Sequence, residues 1–276
     1  ETALLQRWDP VSQTETIPVE AALGRVLTRD QYAQATIPVA RASAMDGVAV
    51  CAVRFGQGMP DTAGWKLGVD FCRADTGDDF DDRFDAVIPI ERVQISEKGQ
   101  LTILGDMQVR PGDNIRPRGS AIRTGELVAR KHRQLRPFDL ACLAMGGIAQ
   151  VEVYRRPRVA FIPTGSELVP LGAPVGRGQT IDSNTLLAQA MLTEMGAEPL
   201  CYPIVPDQPG ALAEALEQAL QAADILLLNG GSSKGAEDYN ARLLEERGAA
   251  LFHWVAAAPG KPLCVGLIQN KPVINL

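Results

Sequence analysis

The second half of the chain alternates short apolar runs with helical periods, and this rhythm constrains the fold more than any other feature. From Pro157 onward, strand-like segments such as Arg158–Ile162 are followed by segments with apolar residues at helical spacing. Such alternation is typical of a parallel sheet that helices cover on both faces. We therefore predict a three-layer α/β domain with a mostly parallel sheet over residues 157–276.

The ends of several elements can be placed from local signals. The run Asp182-Ser183-Asn184 offers N-caps for a helix that Gly196 would end, and its apolar stripe, formed by Leu187, Met191 and Met195, should face the sheet. A second helix should begin after Asp207. The segment 224–228 is apolar enough to predict a strand buried on both faces.

Residues 1–156 lack this rhythm and contain short β-like segments separated by Gly, Pro and Asp. This pattern predicts a smaller, mostly β region. The basic stretch 110–119 is typical of a loop between modules, and the run 154–157 of a hinge into the α/β domain.

Composition excludes several classes of protein. The 33 acidic residues outnumber the 27 basic ones, and the net charge of -6 argues against nucleic-acid binding, which needs a basic face. No apolar stretch reaches the roughly 20 residues that cross a bilayer. The chain begins at Glu1 without a basic segment followed by an apolar one, so we expect a cytoplasmic protein without a membrane segment.

Small and polar residues follow two of the predicted strands. Thr164-Gly165-Ser166-Glu167 comes after the first, and Gly230–Gly235 comes after the strand over residues 224–228. Ligands of open α/β sheets bind at the carboxyl ends of strands, where backbone N–H groups can hold a phosphate. An ordinary turn with a solvated Glu167 explains the first segment about equally well.

Three acidic residues could converge on the same edge. Glu167, Asp207 and Asp238 each lie near a predicted strand end, and carboxylates are the ligands that phosphate-bridging cations prefer. The alternative is that Asp207 is only an N-cap and Asp238 only a first-turn carboxylate. In the first half, Ser43-Ala44-Met45-Asp46-Gly47 places a carboxylate among small residues, although an Asp-Gly turn also explains it.

Together these segments resemble the molybdopterin molybdenumtransferase family, which includes the E domain of gephyrin. The resemblance spans nearly the whole chain. It rests on Ser43–Gly47, Arg110-Pro111-Gly112, Asn114-Ile115-Arg116, Arg155–Val159, Thr164–Leu168, Gly178-Gln179, Asp182–Asn184, Val205-Pro206-Asp207, Gly230-Gly231, Asp238-Tyr239 and Pro259-Gly260-Lys261-Pro262.

The resemblance implies three modules. A discontinuous, elongated linker module would comprise residues 1–42 and 123–156, a small mostly-β module would be inserted at residues 43–122, and the molybdopterin-binding α/β domain would occupy residues 157–276. The family's chains continue beyond the counterpart of Leu276, so we expect this domain to be incomplete at its C terminus. The family also implies a homodimer whose site is shared between subunits.

The activity implied is insertion of molybdate into adenylylated molybdopterin with release of AMP, assisted by Mg²⁺ or another divalent cation. Catalytic roles would fall to Asp46, Glu167, Asp207 and Asp238, the last three also as metal ligands. Residues expected to contact the substrate, which is molybdopterin or its adenylate, are Thr76, Thr164, Gly165, Ser166, Asp182, Ser183, Gly230, Gly231, Ser232, Ser233, Gly235 and Lys261. An upstream molybdopterin adenylyltransferase and acceptor molybdoenzymes are the expected partners.

The chain departs from the family pattern at several positions. The loop 78–85 is far more acidic and should repel an anion, Ser120-Ala121 replaces a Glu-Asp pair, and Ala258 replaces a lysine. These departures keep open a catalytically weakened or inactive molybdopterin-binding scaffold. An adenylyltransferase with the same α/β domain is a third alternative, which the N-terminal segments disfavour.

Overall fold

The computed structural model describes residues 4, 6–10, 12–230, 244, 250–253 and 263–276. The chain divides into two compact units, one of residues 16–153, here called the β unit, and one of residues 1–15 with 154–276, here called the α/β unit. The division of the first half into a linker module and an inserted β module stays a prediction.

Short strands joined by turns build the β unit, which confirms the predicted β character of the first half. The helix α1 spans Pro137–Met145. The strands, of which the first and the last extend past the ends of the unit, are β1 (Thr14–Pro18), β2 (Gln31–Tyr32), β3 (Ala42–Ser43), β4 (Gly47–Val50), β5 (Phe71–Ala74), β6 (Ala86–Pro89), β7 (Val93–Ile95), β8 (Leu101–Ile103), β9 (Ile115–Arg116), β10 (Leu127–Ala129) and β11 (Gln150–Tyr154).

The strand β4 organises this unit because it is the centre of an antiparallel sheet in the order β5-β4-β6. Both of its faces are buried. Val48 and Val50 pack in one apolar cluster with Phe71, whereas Ala49 packs in a second cluster with Phe84. A fully buried side chain of this kind contributes about 1.5–3 kcal/mol. The residue before β4 is therefore attached to one of the best-fixed segments of the unit.

The α/β unit contains a six-stranded sheet in the order β15-β12-β16-β19-β18-β17. Its strands are β12 (Arg158–Pro163), β15 (Glu198–Cys201), β16 (Ile225–Asn229), β17 (Ala250–His253), β18 (Cys264–Ile268) and β19 (Lys271–Asn275), and a separate parallel pair is formed by β13 (Leu168–Val169) and β14 (Thr180–Ile181). The strands β15, β12, β16 and β19 are parallel neighbours, and β18 is antiparallel to both β19 and β17. The predicted mostly parallel sheet is confirmed.

Helices lie on both faces of this sheet, as predicted. The helix α3, Pro209–Ala222, packs through Leu212 and Leu216 against Ala160 and Leu226. The helix α2, Asn184–Glu194, lies over β12 and β15 on the other face, which Phe161 occupies. Successive residues of a strand point to opposite faces, so Ala160 and Phe161 separate the two layers. Gly196 has a φ of +86° after α2, as a C′ glycine should.

The predicted apolar stripe of α2 lies on the side of the sheet but is incompletely buried. Leu187, Met191 and Met195 line a groove together with Phe161 and Leu227 of the sheet, and they are 58%, 45% and 71% exposed. The predicted burial of β16 on both faces is wrong, since Ile225 and Leu227 on the α2 side are only half-buried. In both cases α2 covers only part of its face of the sheet.

The strand β19 was not predicted, although it lies in the middle of the sheet between β16 and β18. It follows a turn in which Gln269 and Asn270 have φ values of +52° and +59°. Its second residue is Pro272, which lacks an N–H group and usually argues against a central strand. Pairing with β16 starts only at Val273, so this proline does not remove a bond from that ladder.

Over the described residues, no helix has both the length and the apolar character needed to cross a bilayer.

Replacing Gly47 should destabilise the β unit. A Cβ on this residue would lie 1.9 Å from the Ile88 carbonyl oxygen of the neighbouring strand, and both backbones belong to the buried sheet. We expect Gly47→Ala to lower the free energy of unfolding by about 1–3 kcal/mol in urea denaturation. The control is Gly64→Ala, because a Cβ on Gly64 would have no neighbour within 4 Å. Equal stability of the two variants would contradict the close approach.

Candidate functional site

The candidate site of the α/β unit begins where β12 leaves the sheet. Its pairing with both neighbours continues past the strand end. On one side Thr164 N donates to Asn229 O at 2.8 Å, and on the other side Val205 N donates to Pro163 O at 2.8 Å and Gly165 N donates to Val205 O at 3.1 Å. The exit of β12 is thus held by main-chain bonds on two sides, which fixes the residues that follow.

Two glycines allow this close packing. Gly230 has a φ of +120°, and a Cβ on it would lie 2.2 Å from Thr164 O. Gly165 has a φ of +147°, and a Cβ there would lie 2.7 Å from the Glu167 Oε2 atom. Any other residue would be strained at both positions. The Thr164–Glu167 turn and Gly230 therefore meet at one edge of the sheet, as the sequence predicts.

Asp207 joins the same edge through Ser166. Ser166 N donates to Asp207 Oδ2 at 3.0 Å, and Asp207 N donates to Ser166 Oγ at 3.1 Å. The alternative interpretation of Asp207 as a helix N-cap is wrong, because α3 has its N-cap at Gln208, which makes no side-chain capping bond. Glu167 and Asp207 thus project from two strand exits that are bonded to each other.

The carboxylate of Asp182 already accepts hydrogen bonds within its own chain segment at the start of α2. Its two carboxylate oxygens accept from Thr185 N at 3.1 Å and from Thr185 Oγ1 at 2.5 Å, which is the behaviour of a capping residue. Ser183 makes no side-chain capping bond. The predicted contacts of these two residues with a substrate stay predictions.

Asn229 belongs to this edge but was not among the predicted site residues. Its carbonyl accepts from Thr164, and its side-chain Oδ1 accepts from Asn184 Nδ2 at 3.3 Å. The signal was present in the sequence, because Asn229 ends β16 directly before Gly230.

A largely apolar groove of about 500 Å³ lies beside the start of α2. Leu171, Ile181 and Leu186 line it together with Asp182 and Ser183 on one side, and the segment 202–204 lines it on the other. Burial raises the pKa of the Tyr202 hydroxyl, so this phenol stays neutral at physiological pH.

Several predicted site residues lie outside the described residues, namely Gly231, Ser232, Ser233, Gly235, Asp238 and Lys261. Ala258, a position that departs from the family pattern, also lies outside them. Among the residues with described positions, no three His, Cys, Asp or Glu side chains are grouped closely enough to hold a metal ion. Glu167 and Asp207 are the predicted metal ligands whose positions are described.

The β unit holds the second group of candidate residues. Asp46 directly precedes β4 and is exposed, and its Oδ1 atom accepts from both Thr76 N at 2.7 Å and Thr76 Oγ1 at 2.8 Å. These two bonds, with the backbone bond the stronger, hold the pKa of the Asp46 carboxyl below its ordinary value. Thr76 therefore orients Asp46 through both its backbone and its side chain, and its predicted contact with the substrate stays a prediction.

The motif around Asn114 is hydrogen-bonded to the segments that flank Asp46. Asn114 has a φ of +56°, its carbonyl accepts from Ala44 N at 2.8 Å, and its side chain donates to Val87 O at 2.8 Å. Ser43, which is fully buried, accepts at its carbonyl from Gly77 N at 2.9 Å. The Ser43–Gly47 and Asn114 motifs, which are far apart in sequence, thus form one hydrogen-bonded support for Asp46.

The acidic loop 78–85 begins directly after Thr76-Gly77. Two arginines partly balance the negative charge of its aspartates. Arg41 Nε lies 3.2 Å from Asp82 Oδ1, and Arg83 Nη2 lies 3.1 Å from Asp81 Oδ2. The guanidinium groups of Arg41 and Arg83 also stack over the Phe80 and Phe84 rings at 5.1 and 5.2 Å from the ring centroids. These arginines reduce the negative potential that the sequence alone predicts.

Comparison with known proteins matches both halves of the chain to one family. Residues 1–147 match the model of the MoeA N-terminal region (domain I and II), and residues 160–276 match that of a probable molybdopterin binding domain. The chain belongs to the MoeA family. The resemblance found in the sequence motifs is confirmed.

Members of the MoeA family with curated names agree with this assignment. The molybdopterin molybdenumtransferases of Haemophilus influenzae and Bacillus subtilis are each 32% identical to the chain, over 94% and 96% of its length. The chain spans 66% of the length of each of these relatives. Among solved structures, the molybdopterin biosynthesis MoeA protein from Pyrococcus horikosii aligns with a TM-score of 0.78 at 29% identity, covering the whole chain and 73% of that protein.

Thr76→Val should raise the pKa of Asp46 in this MoeA-family chain. Valine keeps the backbone N–H donor and removes the hydroxyl, so the pKa should move part of the way back to the ordinary value, near 3.8. Because the folded pKa is depressed, ionised Asp46 stabilises the fold above its ordinary pKa, and this contribution is lost as pH falls through the folded value. A carboxyl NMR titration measures the shift, with Thr62→Val as the control. An unchanged Asp46 pKa would contradict the hydroxyl contact.

Proposed function

We propose that the chain acts in molybdenum cofactor biosynthesis, binding molybdopterin or its adenylate at the edge formed by Thr164–Glu167, Asp207 and Gly230 and inserting molybdate with release of AMP. The observation that carries this proposal is the convergence of these residues at the carboxyl edge of the parallel sheet in a MoeA-family chain. The names of the curated relatives favour an enzyme over a scaffold.

The proposed binding chemistry relies on backbone donors and a closely packed edge. Gly230 and Gly165 let the main chain approach a ligand without side-chain obstruction, which suits an anionic phosphate. Within the described part of the chain, Glu167 N makes no hydrogen bond and could therefore donate to a ligand oxygen. Molybdate would be the second substrate.

A divalent cation fits the donor set at this edge. Mg²⁺ in proteins is commonly held by one or two carboxylates together with waters and substrate phosphates, and Glu167 and Asp207 supply two hard oxygen ligands at bonded strand exits. When bound, the cation would neutralise charge on the phosphate groups. Glu167 and Asp207 would hold it, with Asp238 as a third ligand by resemblance.

We also propose a homodimer in which Asp46 of one subunit serves the sheet edge of the other, and a cytoplasmic location. The support for the dimer is the family resemblance together with the exposure and fixed geometry of Asp46. Asp46 is positioned by Thr76 so that its second oxygen stays available to a ligand. Sedimentation of the purified protein would test the dimer, and a monomer at micromolar concentration would contradict it.

Glu167→Gln should separate substrate binding from turnover. The amide keeps the size of the side chain and loses the charge that a cation requires, so molybdate-dependent AMP release should fall by about tenfold to a hundredfold, the effect of one lost charged interaction. Molybdopterin affinity should change less. Glu194→Gln, in α2, is the matched control. The proposed function fails if the unaltered protein neither binds molybdopterin nor releases AMP when molybdate is added.

Ala258→Lys should restore a cation that the resemblance leads us to expect. Molybdate is a dianion, so an added lysine should raise molybdate-dependent AMP release by about tenfold while molybdopterin affinity stays within about twofold. Ala256→Lys adds the same charge nearby and serves as the control. Full activity of the unaltered chain with no gain from the lysine would show that other residues meet the oxyanion.

A further inference from the structure

The carboxylate of Asp207 is directed away from the helix that follows it. An aspartate just before a helix usually accepts from the first backbone N–H groups. Here α3 begins at Pro209 behind Gln208, whose side chain makes no capping bond, while Asp207 Oδ2 accepts from Ser166 N instead. A position that gives up a favourable local interaction often serves a functional site.

The Ser166–Asp207 contact is reciprocal. Each residue donates its backbone N–H to the side chain of the other, so two bonds of 3.0 and 3.1 Å close a ring between the two loops. The ring is the next rung after the main-chain pairing of Thr164 with Val205. It therefore extends the parallel pairing of the sheet by using side chains where the strands diverge.

After these two bonds are made, Asp207 and Ser166 differ in the hydrogen-bonding groups that they still have available. Asp207 Oδ2 is engaged, while Oδ1 accepts no hydrogen bond from any residue with a described position. Ser166 has committed its N–H and one lone pair of its hydroxyl to Asp207. The N–H of Ser166 is thus not available to an anion, and the predicted substrate contact of this residue stays a prediction that would rest on its hydroxyl hydrogen.

We infer that Ser166 is a positioning residue, which acts on the ligand through Asp207 by fixing that carboxylate with one oxygen turned outward. This inference rests on the proposed function, because it assigns Asp207 to the molybdopterin site. It also explains why Ser166 directly precedes Glu167, since the ring that orients Asp207 holds the backbone from which Glu167 projects.

A double-mutant cycle on molybdopterin affinity tests this role. The variants are Ser166→Ala, Asp207→Asn and the combination, each measured as a Kd with the purified full chain. Ser166→Ala opens the ring, because it removes the hydroxyl that accepts from Asp207 N and leaves the carboxylate held only by the backbone N–H. We expect this variant to weaken binding by about threefold to tenfold, Asp207→Asn to weaken it more, and the combination to bind no more weakly than Asp207→Asn alone, because residues that act as a unit are not additive.

Two further variants separate positioning from general destabilisation. Ser166→Thr keeps the hydroxyl acceptor and should restore affinity to within about twofold of the unaltered protein. Thr193→Ala removes a hydroxyl bonded to the backbone of α2, away from the edge, and should leave affinity unchanged. Thermal unfolding of every variant is recorded, and the inference requires that Ser166→Ala lose affinity while still folded at the assay temperature.

Losses that add in the combined variant would show that Ser166 contacts the ligand independently of Asp207 and would overturn the inference. Unchanged affinity in Ser166→Ala would overturn it as well. If the unaltered protein binds no molybdopterin, the proposed function fails and the positioning role with it. That outcome is recognised from the unaltered protein alone, so the two failures are distinguishable.

Discussion

The continued pairing of β12 beyond its end is the interaction on which the candidate site depends. Pro163, Thr164 and Gly165 exchange main-chain bonds with Val205 on one side and Asn229 on the other. Each bond contributes little net free energy, about 0.5–1.5 kcal/mol, but together they remove the freedom that a strand-to-loop connection normally has. A polar turn at the rim of a sheet thereby acquires the rigidity of the sheet itself.

The β unit also holds a candidate carboxylate in a fixed position, but by different interactions. Asp46 sits at the start of a strand whose two faces are both buried, and Gly47 lets that strand approach Ile88 more closely than a Cβ would permit. The carboxylate is then oriented by one neighbouring threonine rather than by a second strand exit. Rigid support and a hydroxyl-bearing neighbour are thus common to Asp46 and Asp207.

Strand ends and glycine positions were readable from the sequence, whereas side-chain partners and the extent of burial were not. The predicted meeting of Gly230 with the Thr164 turn follows from parallel topology, which places all carboxyl ends at one edge. The stripe of α2 lies on the side of the sheet as its spacing predicts, but its exposure was not predictable, because how much of a face is covered depends on tertiary packing and not on helical periodicity. Asp207 was open to a capping interpretation because capping is judged from local spacing, and the partner that wins, Ser166, is 41 residues away.

In the acidic loop after Thr76, the residues that hold the conformation of the loop are not the ones that carry most of its charge. Phe80 and Phe84 are buried to 9% and 2% exposure in the cluster with Ala49 and Val87, and they anchor the loop from within. Asp85 of the same loop is half-buried and accepts from Ala52 N at 2.7 Å, whereas Asp79 and Asp82 are exposed. Substitutions at the exposed aspartates can therefore accumulate without refolding the loop. Natural variation could retune the potential beside Asp46 in small steps, leaving the frame that carries the catalytic candidates intact.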